Sequence, residues 1–420
     1  MRRRRRHLGG AVARGRADRR RRHQGCYGVI IKILIVGAGI GGLSAALAGL
    51  RRGFDVEVYE QAAELKEVGA GLQLSANGTR VFYELGVGER LKALSCEVSG
   101  KEIRLWNTGE TWKAFDLGKV SLERYGYPYF TVYRPDLLEV LVTAIGRERI
   151  HLGAKCTGFK QTGENVQLRL EGCSVTGDVL IGADGVHSQI RQGLFGQDRP
   201  QFTGIVVWRG VVPMEDLPEH MRRMVGSNWV GPGAHVVHYP LRGGRVMNFV
   251  GALERSDWQI ESWSARGTAE ELAADFKAWH DDVHALIREI PVPYKWALMT
   301  RPPMERWTGG RVTLLGDACH SMVPFLAQGA VMAIEDGFIL ARCLEKYEDP
   351  ARALSGYQEA RRERTRKAVE GSTANIGRFH HPALADPAQA RDYVTREWAG
   401  QSVADRYEWL FRYDVTRTPI

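Results

Sequence analysis

A glycine-rich segment near the start of the chain constrains its fold more than any other feature. Ile30–Val36 is an apolar run of strand length, interrupted only by Lys32, and Gly37-Ala38-Gly39-Ile40-Gly41-Gly42 follows it directly. Residues 43–52 then predict a helix, whose small side chains would allow close packing on a sheet. Asp55–Glu60 predicts a second strand that ends in an acid. This order, with G-x-G-x-x-G at its first turn, predicts an α/β fold that binds an adenine dinucleotide.

The glycines of this segment have separate functions in such a site. Gly37 allows the tight turn, Gly39 lets backbone N–H groups approach a pyrophosphate, and Gly42 lets the helix pack against the strand. Glu60 ends the second strand, where an acid binds ribose hydroxyls. These residues predict an adenine dinucleotide but do not distinguish FAD from NAD.

Two later motifs favour FAD. Asp184 (in GADG, 182–185) and Asp317 (in GDACH, 316–320) each follow a predicted strand. FAD extended across a sheet needs an acid at its ribitol and a helix N-terminus at the pyrimidine edge of its ring. A predicted helix begins at Gln328-Gly329-Ala330, after Pro324. The order and spacing of these motifs after the βαβ unit therefore indicate FAD.

The whole pattern predicts an α/β protein with a Rossmann-like FAD-binding domain, an inserted, mostly antiparallel β-sheet that binds substrate, and C-terminal helices. Residues 98–133 show alternating and aromatic patterning, from which we expect antiparallel strands in this inserted sheet. The predicted boundaries are 1–28 for a disordered tail, 29–97, 134–200 and 291–345 for the FAD-binding domain, 98–133 and 201–290 for the sheet domain, and 346–420 for the helical region.

The basic charge of the chain is confined to its N-terminal tail. The formal net charge is +9, but residues 1–22 hold eleven Arg and one Asp, and the remainder carries 47 basic and 48 acidic residues. A near-neutral body argues against nucleic-acid binding as its main function. For the tail itself we expect upstream sequence translated from a wrongly chosen start codon. An arm that binds phosphates or anionic lipid and a transit peptide remain open alternatives.

Location and partners follow from what the sequence lacks. No run of about 18 apolar residues is present, so we expect no membrane insertion. Six scattered cysteines without a C-x-x-C pair argue against a metal cluster or a disulfide framework and favour the cytoplasm. We expect a monomer or a homodimer that binds a small aromatic acid and O₂.

Residues from about 30 to about 368 resemble the single-component FAD-dependent aromatic hydroxylases, the family related to 4-hydroxybenzoate hydroxylase. The resemblance rests on GAGIGG (37–42), YRPDLL (133–138), GADGVHSQIR (182–191) and GDACHSMVPFLAQGAVMAIEDG (316–337). The last motif looks most similar to salicylate hydroxylases and 6-hydroxynicotinate 3-monooxygenases. Ser321 departs from the family pattern, since relatives usually have Pro after the His.

The resemblance implies a reaction and several roles. NADH or NADPH, bound transiently, would reduce FAD, which would add oxygen to form a flavin C4a-hydroperoxide that hydroxylates a phenolic acid. Arg134 and Asp317 are implied to contact FAD, Asp184 to affect the binding of both FAD and NAD(P)H, and Pro324 to lie near the oxygen-carrying flavin carbon. A salicylate-like substrate would lose CO₂ and yield a catechol.

The substrate pocket is predicted in the inserted sheet. His235 and Tyr239 lie four residues apart on one predicted strand, so they share a face, whereas His238 faces the other way. A His with an ordinary pKa near 6.5 suits a base that removes a phenolic proton. The salicylate and hydroxynicotinate hydroxylases have a His in this strand with a Tyr four residues later. His320 and Arg255 are the predicted partners of a substrate carboxylate.

Several alternatives remain open at this point. Ring hydroxylation without decarboxylation, as in 3-hydroxybenzoate 6-hydroxylase or 6-hydroxynicotinate 3-monooxygenase, fits the same motifs. A hydride-transferring reductase and a regulatory FAD protein without turnover share the fold. A binder of nucleic acid or membrane that acts through its tail is the alternative from another class. Its binding would depend steeply on salt and would vanish without residues 1–28.

Overall fold

The computed structural model describes residues 30–65, 70–257, 265–398 and 401–420, so the predicted tail over residues 1–28 lies outside the described part. The strands are β1 (Lys32–Val36), β2 (Asp55–Glu60), β3 (Gly71–Leu74), β4 (Cys96–Glu97), β5 (Gly100–Leu105), β6 (Thr111–Phe115), β7 (Phe130–Tyr133), β8 (Ile150–Leu152), β9 (Cys156–Thr162), β10 (Asn165–Leu170), β11 (Cys173–Gly177), β12 (Val179–Gly182), β13 (Gln201–Pro213), β14 (Val225–Gly231), β15 (Ala234–Leu241), β16 (Val246–Glu254), β17 (Tyr294–Thr300), β18 (Thr308–Gly309) and β19 (Val312–Leu314).

The α-helices are α1 (Ile40–Leu50), α2 (Ala76–Glu84), α3 (Gly88–Leu94), α4 (Leu117–Tyr125), α5 (Arg134–Ile145), α6 (Gln189–Phe195), α7 (Ala269–Asp275), α8 (Asp281–Arg288), α9 (Asp317–His320), α10 (Gly329–Lys346), α11 (Pro350–Phe379), α12 (Pro387–Trp398) and α13 (Gln401–Phe411). Residues 31–420 pack as one compact unit. No helix within the described ranges has the length and apolar character that a membrane crossing requires.

A parallel sheet carries the glycine-rich segment. Its strand order is β18-β19-β12-β1-β2-β8, and all pairs except β18–β19 are parallel. The apolar residues of β1 are buried because helices cover the sheet, as the continuous apolar run predicts. Helix α1 also packs closely on α10: a Cβ at Gly337 would come within 2.7 Å of the Ala45 nitrogen. The small residues predicted for this helix therefore serve close packing.

A seven-stranded sheet forms the second layer, in the order β17-β13-β16-β15-β14-β5-β6, and all its pairs except β14–β5 are antiparallel. Its two faces pack on different elements. Leu272, Phe276 and Leu286 from α7 and α8 cover one face, together with Val236 of β15. Phe325, Phe379 and other residues near α11 and α12 cover the opposite face. This sheet joins β5 and β6 to β13, β14, β15 and β16, as expected, and it also contains β17, which lies in the range predicted for the FAD-binding domain; the boundaries of the domains stay a prediction.

The expectation of strands throughout residues 98–133 is wrong in part. Helix α4 lies within this range, and β7 pairs with β3 and β4 in a separate three-stranded sheet. Leu117, Ser121 and Tyr125 are the buried residues of α4, with a spacing of four that fits a helix. Gly126 ends α4 in the left-handed conformation, with φ of 76°. The aromatic pattern of the segment concealed this short helical period.

Candidate active site

The three predicted motifs meet at one edge of the parallel sheet. Val36 at the end of β1 pairs with Gly182 at the end of β12, and Gly182 pairs in turn with Leu314 at the end of β19. Tyr59 on the other side also pairs with Val36, which brings the acid Glu60 to the same edge. Carboxyl ends of parallel strands are the usual position of ligands in open α/β sheets.

The turn after β1 has the shape that a bound pyrophosphate needs. Gly37 has φ of 105°, and a Cβ there would lie 2.3 Å from the Ala183 carbonyl oxygen. At Gly42 a Cβ would lie 2.0 Å from the Gly37 oxygen, whereas at Gly39 it would meet no atom within 4 Å. Gly39 is the N-cap of helix α1 and provides no side-chain cap, so the first N–H groups of the helix suit an anion. The turn therefore packs closely on the protein at Gly37 and Gly42 and leaves space for a ligand at Gly39.

Two predicted acids of this edge already accept hydrogen bonds. Glu60 accepts from the backbone N–H groups of Ala38 at 2.8 Å and Ala62 at 2.9 Å. Asp184 accepts from the Ser188 hydroxyl at 2.5 Å and from the first N–H groups of α6. Burial raises the pKa of Asp184, although these hydrogen bonds oppose the shift. Direct contact of either acid with the dinucleotide stays a prediction.

The remaining predicted cofactor residues line the same region. Asp317 is accessible to solvent but sits in a recess. This enclosure raises the pKa of Asp317, although the nearby charges of His320 and Arg134 oppose the shift. Helix α10 begins at Gly329 without a side-chain cap. The Gln328 side chain is buried and bonds to Ser75 and Asn77, so only its backbone, with that of Gly329 and Ala330, is available.

These observations fit FAD. The region offers two uncapped helix N-termini, at α1 for a pyrophosphate and at α10 for an electron-rich ring edge. It also offers open space beside Gly39. An acid in a recess, Asp317, lies between the two helix N-termini in the sequence. Pro324 is exposed at the start of the short turn that precedes α10. Its position next to a flavin stays a prediction.

A partly open cavity lies on the face of the seven-stranded sheet that α11 and α12 cover. It is lined by residues of four regions: Lys101 and Ile103 of β5, Asn228 of β14, Phe325–Gln328 before α10, and Asn375 and Phe379 of α11, together with Leu117, Tyr129 and aromatic residues of the C-terminal helices. The turn before α10 therefore borders both this cavity and the predicted flavin region.

Two polar groups of this cavity have no polar partner within the described part of the chain, and neither was predicted from the sequence. No carboxylate among the described residues pairs with Lys101, and enclosure by the walls lowers the pKa of Lys101 to about 8. Asn228 is 1% exposed, and its Oδ1 has no hydrogen-bond partner. The alternation of β5 places Lys101 on the same face as Ile103, but only the pairing of β5 with β14 brings it beside Asn228.

His235 lies against the wall of this cavity. Its ring packs edge-on against Phe325 at 4.6 Å between centroids, and tilted against Phe379 at 5.1 Å. Burial, together with the charges of His380 and Lys101, holds the pKa of His235 well below its ordinary value. The ring is therefore neutral at pH 7. His238 faces the opposite side and packs on Trp229, as the strand alternation predicts.

Tyr239 lies on the same face as His235, further along β15. Its ring is so close to Gly71 of β3 that a Cβ there would lie 2.6 Å from the Tyr239 Cε2 atom. Burial raises the pKa of Tyr239 far above its ordinary value, so the phenol stays protonated. Tyr239 therefore lies where the sheet meets β3, and its participation in catalysis stays a prediction.

His320, the predicted partner of a substrate carboxylate, has its side chain engaged in the core, and its binding of a substrate stays a prediction. Helix α9 directs its side chain into the core, where Nε2 lies 2.6 Å from Asp336 Oδ2 and the ring packs edge-on against Trp307. Burial opposes protonation, but Cys319 and Asp336 raise the pKa of His320 well above its ordinary value. The residue completes a buried ion network with Asp336 and Arg361, and it does not line the cavity.

Arg255, the other predicted partner of a substrate carboxylate, already pairs with two acids, and its role towards a substrate stays a prediction. Its guanidinium lies 2.5 Å from the Asp257 carboxylate and 2.7 Å from that of Asp275 at the end of α7. Asp275 also accepts from the Trp208 indole, on the sheet face that α7 covers. Two carboxylates already occupy Arg255, and the residue does not line the cavity on the other face.

Comparisons with known proteins extend these observations. The model of a family described as FAD binding domain matches residues 31–372. A 3-amino-4-hydroxybenzoate 2-monooxygenase of Streptomyces platensis is 37% identical over 91% of this chain and 96% of its own length. A 3-hydroxybenzoate 6-hydroxylase of Aquipseudomonas alcaligenes is 36% identical over 90% and 96%. The crystal structure of Klebsiella pneumoniae HpxO with FAD and uric acid superposes with a TM-score of 0.80 at 27% identity, over 93% of this chain and 97% of that chain.

Proposed function

The chain belongs to the FAD-binding-domain family, and we propose that it hydroxylates the ring of an aromatic acid that carries a carboxylate and a phenolic hydroxyl. It is an FAD-dependent aromatic-ring monooxygenase that uses NADH or NADPH and O₂. The observation that carries the proposed substrate is the cavity, in which the Lys101 amine and the Asn228 oxygen have no polar partner among the described residues, with the neutral His235 packed against its lining residues Phe325 and Phe379.

The cofactor would be held mainly by backbone groups. Gly37, Gly39 and the N-terminus of α1 would bind its pyrophosphate, with Glu60 at a ribose. Arg134 and Asp317 would contact its middle part, and the N–H groups of Gln328-Gly329-Ala330 would meet its ring edge. When FAD is bound and reduced, it supplies, with O₂, the oxygen atom that enters the ring.

Lys101 and Asn228 would select the substrate. A cation without a carboxylate partner in a partly buried cavity favours an anionic ligand, because each charge offsets the cost of burying the other. The Asn228 oxygen requires a donor, which a ring hydroxyl or amino group provides. An acid with both groups on one ring therefore satisfies both residues.

His235 would activate the ring. A neutral imidazole can accept the phenolic proton, and the resulting phenolate is a better nucleophile towards electrophilic oxygen. Phe325 and Phe379 exclude water from this side of the cavity. Pro324 and Tyr239 would limit the position of the ring from the flavin side and from β3.

The choice of substrate within this class rests on the relatives. The sequence favours salicylate with loss of CO₂, and the alternative is 3-hydroxybenzoate without such loss. The relatives of 36% and 37% identity are named for 3-hydroxybenzoate and 3-amino-4-hydroxybenzoate, in which the phenol is not beside the carboxylate. We therefore rank hydroxylation without decarboxylation first. We also propose a cytoplasmic location, supported by the free thiols of Cys96, Cys156, Cys173, Cys319 and Cys343.

A panel of aromatic acids tests the proposal. The FAD-loaded protein is mixed with NADH or NADPH and with 3-hydroxybenzoate, 3-amino-4-hydroxybenzoate, salicylate or 6-hydroxynicotinate, and the products are identified. We expect at least one acid to stimulate oxygen uptake and to yield a product with one added hydroxyl. Catechol and CO₂ from salicylate alone would reverse our ranking. Nicotinamide oxidation that no acid stimulates would contradict the proposal.

A further inference from the structure

Three side chains form a continuous hydrogen-bonded chain from His235 to the protein surface. His235 Nδ1 lies 2.7 Å from His380 Nε2, and His380 Nδ1 lies 3.0 Å from Glu254 Oε1. The side chain of His380 is 1% exposed, whereas that of Glu254 is 55% exposed. The three residues come from β15, from the residue after α11 and from the end of β16. A buried ring that packs against the cavity-lining residues Phe325 and Phe379 is thus connected to solvent.

The Glu254 carboxylate determines which ring nitrogen of His380 and of His235 carries a proton. An ionised carboxylate only accepts hydrogen bonds, so His380 must donate its Nδ1–H to Glu254. Neutral His380 then has its lone pair on Nε2, which must accept from His235 Nδ1–H. Neutral His235 is therefore left with its lone pair on Nε2, the nitrogen that is not engaged by His380.

We propose that Glu254 and His380 fix His235 in the tautomer whose Nε2 can take a proton, and that they conduct this proton to solvent. This inference rests on the proposed function, in which His235 accepts the phenolic proton. The transfer needs no oxidant or reductant. His235 Nε2 gains the phenolic proton, Nδ1 passes its proton to His380 Nε2, and His380 Nδ1 passes its proton to the Glu254 carboxylate, which exchanges with water.

The surroundings of His235 favour passage of the proton over its retention. Lys101 of β5 is the cation that faces His235, His380 is its hydrogen-bond partner, and the other packed groups are the apolar rings of Phe325 and Phe379. Burial, the adjoining His380 ring and the Lys101 cation disfavour a charged His235. Burial also lowers the pKa of His380, although Glu254 opposes this. A proton that His235 Nε2 has accepted therefore has a lower free energy on the exposed Glu254 carboxylate than on the buried His235 ring.

The conducting step is tested with Glu254→Gln, which retains the shape of the side chain but cannot be protonated like a carboxylate. We expect kcat to fall about 10- to 100-fold, the range typical for loss of a partner that orients and polarises a catalytic His. We expect KM to stay the same, and added imidazole or another small base to restore part of kcat. Glu305→Gln, at an 86% exposed carboxylate near Arg362, is the matched control and should behave like the wild type.

The tautomer is tested by ¹⁵N NMR of the histidines in the FAD-loaded protein without substrate, assigned with His235→Asn. We expect His235 to carry its proton on Nδ1 and to lose this preference in His380→Phe. Finding the proton on His235 Nε2 in the wild type would overturn the inference. So would an unchanged kcat in Glu254→Gln at every pH between 6 and 9. Failure of all acids to stimulate turnover would instead defeat the proposed function, and the NMR result would distinguish the two.

Discussion

His320 and His235 are equally buried, yet their surroundings give them opposite properties. Around His320, beneath the cofactor edge, lie Asp336 and then Arg361, and the imidazole is held as a cation. Around His235, at the cavity, lie phenylalanines, a second imidazole and Lys101, and the ring is held neutral. Burial alone therefore does not decide what a histidine does. The sign of the neighbouring charges makes one a structural ion and the other a candidate base.

The largest effect should follow from breaking the ion network that holds His320. Arg361→Met leaves Glu335 and Asp336 buried without their shared cation, because Arg361 lies 2.7 Å from both carboxylates. Loss of one partner from such a network costs about 3–5 kcal/mol of unfolding free energy, which denaturant titration measures. Arg366→Met, in the exposed ion pairs of the same helix, should change stability little. Equal stability of the two variants would show that the network is not structural.

Replacement of His235 should reduce catalysis without affecting folding. His235→Asn removes the proposed base, so kcat should fall about 10²- to 10⁴-fold, while FAD and substrate still bind. Stopped-flow absorbance of the flavin and of the bound aromatic acid separates binding from turnover. His238→Asn, on the other face of the same strand, should change kcat little. A wild-type kcat in His235→Asn would remove this residue from the mechanism.

Replacement of Lys101 should act on substrate binding. Lys101→Met removes the cation for the carboxylate, so KM should rise about 10- to 100-fold, as for a charged hydrogen bond of 1.5–3 kcal/mol. The KM of the corresponding benzamide should not change. Arg255→Met is the matched control, because Arg255 pairs with Asp257 and Asp275 and does not line the cavity. A raised KM in Arg255→Met, with none in Lys101→Met, would reverse our assignment.

The smallest effect should be a dependence of KM on pH. The pKa of Lys101 is lowered to about 8, so the amine is charged below pH 8 and loses its charge above it. Binding of a carboxylate should therefore be strongest below pH 8 and weaken by up to about tenfold per unit above it. Lys101→Arg keeps its charge over this range and should show a flat KM. A wild-type KM that stays constant from pH 7 to 9.5 would contradict this role.

The cofactor edge was predictable from the sequence because it is built by local backbone geometry. Gly37 and Gly42 lie at one turn, where a side chain would clash with the surrounding backbone. The end of a strand, such as Gly182, is indicated by the apolar run that precedes it. The parallel pairing of the strands then brings motifs that are far apart in sequence to one edge. Each of these patterns lies within a short stretch of sequence, so it can be recognised without knowledge of tertiary contacts.

The cavity was not predictable in the same way because its polar residues come from separate strands. Lys101 meets Asn228 only through the parallel pairing of β5 with β14, which no local pattern indicates. The acids that surround His320 and Arg255 were not predictable either, and for the same reason. Histidine and arginine both suit a substrate carboxylate. However, Asp336 already pairs with His320, and Asp257 and Asp275 already pair with Arg255. The face of His235 was predictable, since strand alternation is local.

Oxygen-isotope labelling tests the central claim most directly. The FAD-loaded protein is supplied with NADH or NADPH, ¹⁸O₂ and each aromatic acid of the panel, and the products are analysed by mass spectrometry. The account predicts a phenolic acid that gains one hydroxyl carrying a single ¹⁸O atom, with its rate of formation strongly reduced in His235→Asn. Hydrogen peroxide as the sole oxygen product with every acid, or a hydroxyl that carries oxygen from water, would contradict it.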